Sequence, residues 1–342
     1  DKGGMHAGAD EQQTADSDQP GNDSVAPLAR IAATFEEGGQ VSAGQVLVRN
    51  LWLSLDPYMR GRMDESKSYA ASQALDEPMI GGTAGEVVAS NDPNFKPGDK
   101  VVSNNGGWQL YSIQNPALLR KVDDSKVPLQ AFVGPLGMPG VTAWVGVNRI
   151  IAPKAGETVV CSAATGAVGT VVGQLVKAKG ARAVGIAGGP EKCRFAVEEL
   201  GYDVCVDHKA PDFAERLKQA TPNGVDGLFE NVGGQPFVRT MAQMNDFGRI
   251  AICGLIASYE GAEKTTLPDM RIMLVRRLKM QGFIVSEFLS DWPTALTELV
   301  TLASTGKLKW RETIADGVEK APSAFLGMLK GKNFGKQLVK LF

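Results

Sequence analysis

The run Ala163-Ala164-Thr165-Gly166-Ala167-Val168-Gly169 places small residues where backbone N–H groups can approach a ligand closely. Between a strand and a helix, such a turn suits a pyrophosphate, whose charge is stabilised by unpaired N–H groups and the helix dipole. The run is a relative of the Gly-x-Gly-x-x-Gly fingerprint, with Ala164 in place of the first glycine. Alone, the match does not separate a nucleotide site from a helix packed closely on a strand; a preceding strand and further strand–helix units favour the nucleotide. The second signal is Ile186-Ala187-Gly188-Gly189-Pro190-Glu191-Lys192-Cys193-Arg194. An NAD site usually places an acid about 20 residues past the fingerprint, on the ribose hydroxyls. Here glycines take the place of the acid, with Lys192 and Arg194 beyond, which makes room and positive charge for a 2′-phosphate and predicts NADP(H). The competing reading makes Lys192 and Arg194 solvated helix charges, with Glu191 as a nearby acid. Tighter binding of NADH than of NADPH would decide for it.

Other chemistries have little to draw on. The only histidines are His6 and His208, and Cys161, Cys193, Cys205 and Cys253 lack CxxC spacing. A His/Cys zinc site is not expected, so the metal expectation is none. The cysteines read as free thiols of a reducing compartment. With 36 Lys plus Arg against 38 Asp plus Glu, the net charge of −2 gives no overall field for nucleic acid or an anionic membrane. No apolar run suggests a membrane span, and no secretory signal pattern is seen, so a cytoplasmic location is expected.

These residues need elements to hold them. A chain of 342 residues exceeds the ~250–300 at which single cores stop growing. Residues 1–27 are polar and aperiodic and predict a flexible segment. From Val46 to Tyr111, short apolar runs such as Val46–Val48, Gly85–Val88 and Lys100–Val102 alternate with turn residues and predict a barrel-like β domain. After about Pro139 the period changes. Strands are expected at Thr158–Ala163, Arg182–Ala187, Asp203–Val206, Val225–Glu230, Arg249–Gly254 and Lys279–Val285. Helices are expected at Val168–Lys179, Pro190–Leu200, Asp212–Ala220 and Pro293–Ser304. This alternation predicts an α/β fold, a Rossmann doubly wound parallel sheet of about six strands. Trp310–Ile314 and Lys336–Phe342 read as strands returning to the first domain. Forty glycines, well above the usual ~7%, fit a fold rich in close approaches and turns.

Leu53-Ser54-Leu55-Asp56-Pro57-Tyr58-Met59-Arg60-Gly61-Arg62-Met63, together with 163–169, Glu230-Asn231-Val232-Gly233-Gly234 and Cys253-Gly254-Leu255-Ile256-Ala257-Ser258-Tyr259, resembles the zinc-independent medium-chain dehydrogenases/reductases. Within them the chain is similar to the prostaglandin reductase, alkenal double-bond reductase and curcumin reductase group, from about Val46 to the C-terminus. The Arg-Pro-x-Gly turn typical of the group's opening is not found. The resemblance implies a GroES-like catalytic domain at 28–139 and 307–342 and an NADP-binding Rossmann domain at 140–306. It also implies a cleft between them, a homodimer joined through the edge strand near Lys279–Val285, and NADPH-dependent reduction of the C=C bond of α,β-unsaturated ketones or aldehydes.

By the same resemblance Tyr259 is the catalytic residue, stabilising the enolate oxygen, and Tyr58 joins it in binding substrate. Arg60 and Arg62 are expected to pair with acids. Gly166, Ala167, Val168 and Gly169 hold the pyrophosphate and Lys192 the 2′-phosphate. Thr142, in the helix start Gly137–Ala143, lies near the nicotinamide. Asn231, Cys253, Gly254, Ile256 and Tyr259 line the cofactor edge, Phe283, Ile284 and Val285 offer backbone groups to the carboxamide, and Asn333 reaches across. His208 stands where relatives have tyrosine; protonated, it would bind phosphate more strongly, which predicts weaker NADPH binding above neutral pH. Quinone reduction, allylic alcohol oxidation and a non-catalytic NADP-binding role remain open alternatives.

Overall fold

The computed structural model describes residues 41–65, 67–259 and 269–342. The expected flexible segment at 1–27 and His6 lie outside the described residues.

Two sheets share the described chain. The first has seven strands: β1 (Val46–Ser54), β2 (Thr83–Ser90), β3 (Lys100–Ser103), β4 (Tyr111–Gln114), β5 (Leu119–Lys121), β12 (Glu312–Asp316) and β13 (Lys336–Lys340). Its order is β12-β13-β1-β2-β3-β5, with β4 also on β1. The C-terminal strand β13 runs antiparallel to β1, pairing Leu53 with Val339, so the return of the chain is built into this sheet. The alternating apolar positions Val46, Val48, Val87 and Val101 close one small core on its face.

The second sheet is wholly parallel: β6 (Thr158–Ser162), β7 (Arg182–Ala187), β8 (Val204–Asp207), β9 (Val225–Glu230), β10 (Met244–Ile252) and β11 (Lys279–Gly282), in the order β11-β10-β9-β6-β7-β8. The order reverses at β6, the first strand, and β6 is buried along its whole length, as a strand covered on both faces must be. The helices are α1 (Tyr58–Arg62), α2 (Met138–Val145), α3 (Gly169–Ala178), α4 (Pro190–Glu198), α5 (Phe213–Ala220), α6 (Gly234–Met241), α7 (Arg271–Val275), α8 (Trp292–Ser304) and α9 (Ala321–Leu329).

The expected alternation holds, with three departures. Helices α1, α6, α7 and α9 were not expected, α6 and α9 because Gly233-Gly234-Gln235-Pro236 and Ala321-Pro322 carry turn residues. Each proline sits in the first turn, where its missing N–H has no helical partner to lose. Strand β10 starts at Met244 instead of Arg249; its register on β9 jumps between Met244 and Arg249, where Phe247 takes a φ of 63°. Strand β11 stops at Gly282, so Phe283, Ile284 and Val285 lie beyond it, not in it.

One large core joins α2, α3, β6 and α8 to Phe132, Leu136 and Leu338 of the chain around the first sheet. Among the described residues no helix is long and apolar enough to cross a membrane.

Candidate active site at the carboxyl edge of the parallel sheet

The Gly-rich turn is shaped by one close approach. A Cβ on Gly169 would lie 2.3 Å from the Ala163 carbonyl oxygen and 2.8 Å from Ala164 Cα, so only glycine lets α3 start against the end of β6. The tight bend falls on Ala163, whose φ is 49°, one residue before the position of the missing glycine, while Ala164 is buried completely. Gly166, Ala167 and Val168 remain half-buried on the edge.

The segment after α9 closes on this turn. Gly335 bridges to Gly166 and donates its N–H to the Thr165 carbonyl at 3.1 Å; Asn333 Nδ2 donates to the Gly335 carbonyl at 2.7 Å. Phe334 packs edge-on against Phe195 of α4 at 4.9 Å between centroids. Lys192 Nζ donates to the Gly331 carbonyl at 2.8 Å. The structure thus brings Asn333, Gly166 and Lys192 to one rim.

At the end of β7, a Cβ on Gly188 would lie 3.0 Å from His208 Nε2 and 3.1 Å from Lys209 Cε, whereas Gly189 faces open space with a φ of 97°. Lys192, His208 and Lys209 therefore ring a cradle that side chains at 188 and 189 would fill. The acid at the end of β8, Asp207, is occupied: Oδ1 accepts from the N–H groups of Gly189 (2.8 Å) and Lys209 (2.9 Å). Glu191 is exposed. These residues fit a 2′-phosphate: three basic side chains, and no free carboxylate at the end of β7. Sequence reasoning missed Lys209, whose only signal was its place next to His208.

Burial, reinforced by Lys209 and Lys192, pulls the His208 pKa below its ordinary 6.5 against the pull of Asp207. In the ligand-free protein this favours the neutral imidazole, whereas a phosphate dianion beside it would favour the protonated form.

The loops after β9 and β10 are tied to each other. The N–H groups of Cys253 and Gly254 donate to the Glu230 carbonyl, that of Ile256 to Asn231, and that of Ala257 to Val232. The expected contacts of Cys253, Gly254 and Ile256 are thus left to carbonyls and side chains. Asn231 Nδ2 donates to the Ser162 carbonyl and its N–H to Ser162 Oγ, both at 2.8 Å, which locks β9 to β6. Glu230, given no role from sequence, organises this edge. Its Oε1 accepts from Ser162 Oγ and from the N–H groups of Val232 and Gly233, while Oε2 is buried without a partner. Burial raises its pKa against these hydrogen bonds. The Cys253 thiol is pushed up to about 12 by burial, with Glu230 adding to it.

Tyr259 follows this pair of loops. A Cβ on Gly254 would lie 3.5 Å from its hydroxyl. Burial raises its pKa, a backbone hydrogen bond at Leu255 opposes, and Tyr69 and Cys253 add to the rise. Tyr58, at the start of α1, is raised chiefly by burial, then by Asp56, with Arg62 opposing and Tyr69 adding. Tyr69, 62% exposed, is raised by desolvation and by Cys253 and lowered by Arg62. Tyr58 and Tyr259 thus each interact electrostatically with Tyr69, although 201 positions separate them. Sequence reasoning missed Tyr69, which lies in a stretch without periodicity.

Arg60 pairs with Asp64 at 2.7 Å as expected. Arg62 pairs with no acid among the described residues: Nη1 donates to the Ala71 carbonyl at 2.8 Å, and Nε is buried without a partner there. It pins the loop that carries Tyr69.

Four expected residues have groups engaged elsewhere. Thr142 Oγ1, on α2, donates to the Met138 carbonyl at 2.8 Å. Phe283 is buried between Phe229 and Phe288. The Val285 carbonyl accepts from Trp292 Nε1 at 3.2 Å, the Ile284 carbonyl accepts from the Glu287 N–H at 3.0 Å, and the Phe283 N–H donates to the Ile252 carbonyl at 3.4 Å, so the backbone of all three has partners within the chain.

Next to Tyr58 lies a cavity of about 270 Å³. Ser54, Asp56, Val102, Arg120, Phe132, Met138, Leu289 and Trp292 line it with Tyr58. Below it is a buried ion pair. Lys336 Nζ lies 2.9 Å from Asp56 Oδ1 and 2.6 Å from the Leu55 carbonyl, and Ser54 Oγ donates to Asp56 Oδ2.

Comparison with known proteins places this arrangement. A family model described as the N-terminal domain of oxidoreductase matches residues 29–122, and one described as zinc-binding dehydrogenase matches residues 167–301. The NADPH-dependent curcumin reductase of Escherichia coli is 46% identical over 307 residues, covering 87% of this chain and 88% of that one. The chain belongs to the zinc-independent medium-chain dehydrogenases/reductases. The family's tobacco (Nicotiana tabacum) member, 2-alkenal reductase (NADP(+)-dependent), is 40% identical over 300 residues, covering 87% of both chains. The crystal structure of CurA from Vibrio vulnificus in complex with NADPH superposes with a TM-score of 0.83 at 44% identity, over 88% of this chain and 91% of that one. Among the described residues no group of three or more His, Cys, Asp or Glu is placed to hold a metal ion.

Proposed function

We propose that this chain is an NADPH-dependent reductase of the C=C bond of α,β-unsaturated ketones and aldehydes. One observation carries the reading: a cradle of Lys192, His208 and Lys209 lies on the same sheet edge as Tyr259, and Tyr259 and Tyr58 both interact electrostatically with Tyr69. The names of the curcumin and alkenal reductases support it.

Bound at this edge, NADPH supplies the hydride that reaches the β-carbon of the enone. Gly166 to Gly169 and the α3 N-terminus hold the pyrophosphate, and Lys192, His208 and Lys209 the 2′-phosphate. Thr142, Asn231, Ile284 and Asn333 border the nicotinamide half. Tyr259 donates a hydrogen bond to the carbonyl oxygen as enolate charge grows there. A raised pKa serves this role, because the phenol stays protonated at neutral pH. Tyr58 walls the substrate, and the α-carbon takes its proton from water or from a tyrosine hydroxyl.

Residues 28–139 with 307–342 form the catalytic domain and 140–306 the cofactor domain, a division that the two sheets support. The edge strand β11 and the exposed Leu274 and Val275 of α7 support a homodimer through that edge. The four free cysteines support a cytoplasmic location.

The test follows NADPH oxidation against 2-alkenals, alkenones, quinones and allylic alcohols. Alkenals and alkenones should be reduced, and Tyr259→Phe should lower their kcat on the order of 100-fold while leaving NADPH affinity within twofold. Turnover of quinones alone, or unchanged alkenone turnover in Tyr259→Phe, would refute the reading.

A further inference from the structure

The cavity beside Tyr58 has two charged residues in its wall, Asp56 and Arg120. Asp56 is neutralised by Lys336 and Ser54. Arg120 is not neutralised. It stands on β5 opposite Val102, and cross-strand partners project to the same face, so both reach the cavity. Its neighbour Lys121 points the other way and pairs with Asp99 at 2.6 Å. The Arg120 guanidinium lies over the Phe132 ring, 5.8 Å from its centroid, and Nη2 makes one long contact, 3.4 Å, to the Leu136 carbonyl. Among the described residues the fork of five N–H donors thus has one weak protein acceptor and no carboxylate partner, and its other donors face the cavity solvent. Burial disfavours the charge, yet a guanidinium stays protonated in proteins. A half-buried cation without a counter-ion carries part of the desolvation cost, and an anion arriving in the cavity offsets it.

We propose that Arg120 forms an anion subsite of the substrate cavity, and that the preferred enones carry a carboxylate on a short aliphatic chain. A carboxylate matches the guanidinium fork with two parallel hydrogen bonds. Val102, Phe132, Leu289 and Trp292 give the chain between enone and carboxylate an apolar wall. The volume of about 270 Å³ lies just below the ~300–1,000 Å³ of drug-sized sites, which favours a compact acid. The inference rests on the proposed enone reduction for the reacting end of the substrate, and on Arg120 alone for the other end.

The test compares a vinyl ketone bearing a carboxylate on a short alkyl chain with its methyl ester, in wild type, Arg120→Gln and Arg120→Lys. Binding of the saturated keto acid and keto ester to the protein with NADP+ is read in parallel by quenching of tryptophan fluorescence, since Trp292 lines the cavity. In wild type the acid should exceed the ester in kcat/KM and in affinity by roughly tenfold or more, the scale of a charge-assisted hydrogen bond. Arg120→Gln should abolish that ratio, and Arg120→Lys, with a point charge but no fork, should keep part of it. An acid-to-ester ratio that is the same in wild type and Arg120→Gln, by turnover and by quenching, overturns the subsite. Ester reduced with no preference for acid refutes the subsite and leaves the reaction standing. Acid bound through Arg120 with neither ketone reduced upholds the subsite and refutes the reaction.

Discussion

Removing the Lys336 ammonium should be among the most damaging single changes in the first sheet. Its side chain is 3% exposed and that of Asp56 is 6% exposed, with Nζ 2.9 Å from the carboxylate and 2.6 Å from the Leu55 carbonyl. Burial pulls the lysine pKa down and Asp56 pulls it back up, so the pair survives on mutual compensation. In Lys336→Met the Asp56 carboxylate keeps only Ser54 and the Leu55 carbonyl loses its donor. Breaking a buried pair from one side costs about 3–5 kcal/mol. At roughly 2–4 °C for each kcal/mol, the scale for domains of about 150–250 residues, thermal unfolding followed by circular dichroism should show Tm lower by roughly 6–20 °C. The double variant Asp56→Leu with Lys336→Met removes both charges and should regain most of that loss, because an apolar pair of similar volume leaves nothing uncompensated. Lys336→Met melting within about 2 °C of wild type would refute the reasoning. So would a double variant no more stable than Lys336→Met.

Three further outcomes follow from the cofactor edge. Gly169→Ala puts a methyl 2.3 Å from the Ala163 carbonyl oxygen, so α3 must move; a stability loss of about 1–3 kcal/mol by chemical denaturation and weaker NADPH binding by titration are expected. The His208 pKa is lowered, so the folded protein takes up that proton at lower pH than the unfolded chain. Stability should fall as pH drops below 6.5, and Tm profiles of wild type and His208→Gln should diverge there while running parallel above about pH 7. Lys192→Ala and Lys209→Ala should each weaken NADPH binding several-fold and leave NADH binding within twofold by isothermal titration; equal losses for both cofactors would count against a 2′-phosphate cradle.

The parallel sheet was legible because its strands are continuous apolar runs at regular spacing, so local pattern alone fixes β6 to β9. Helices α6 and α9 were hidden by glycine and proline, whose local preference opposes the helix that packing and first-turn geometry permit. Strand β11 was read too long, since Phe283 to Val285 are as apolar as a strand but turn away to bury Phe283 between two rings. For Arg62, sequence shows a charge among acids, and only the fold shows a backbone carbonyl taking one of its hydrogen bonds.

By itself the sequence determined which chemistry this protein could host. Small residues at 163–169 and glycines at 188–189 are requirements of space, and space along one strand–turn–helix unit is set by residues adjacent in the chain. Scarce histidine and scattered cysteine are likewise matters of inventory. The tertiary structure decided which groups meet. Lys209 beside Gly188, Tyr69 beside Tyr58 and Tyr259, the Gly331–Gly335 segment on the Gly-rich turn, and Lys336 under Asp56 all join residues through crossovers and a returning C-terminal strand. It also decided where backbone groups are spent: the N–H donors of Cys253, Gly254 and Ile256 go to the neighbouring loop, and the Val285 carbonyl to Trp292. A buried donor or acceptor must find a partner, and which one it finds depends on the packing of segments far apart in the chain.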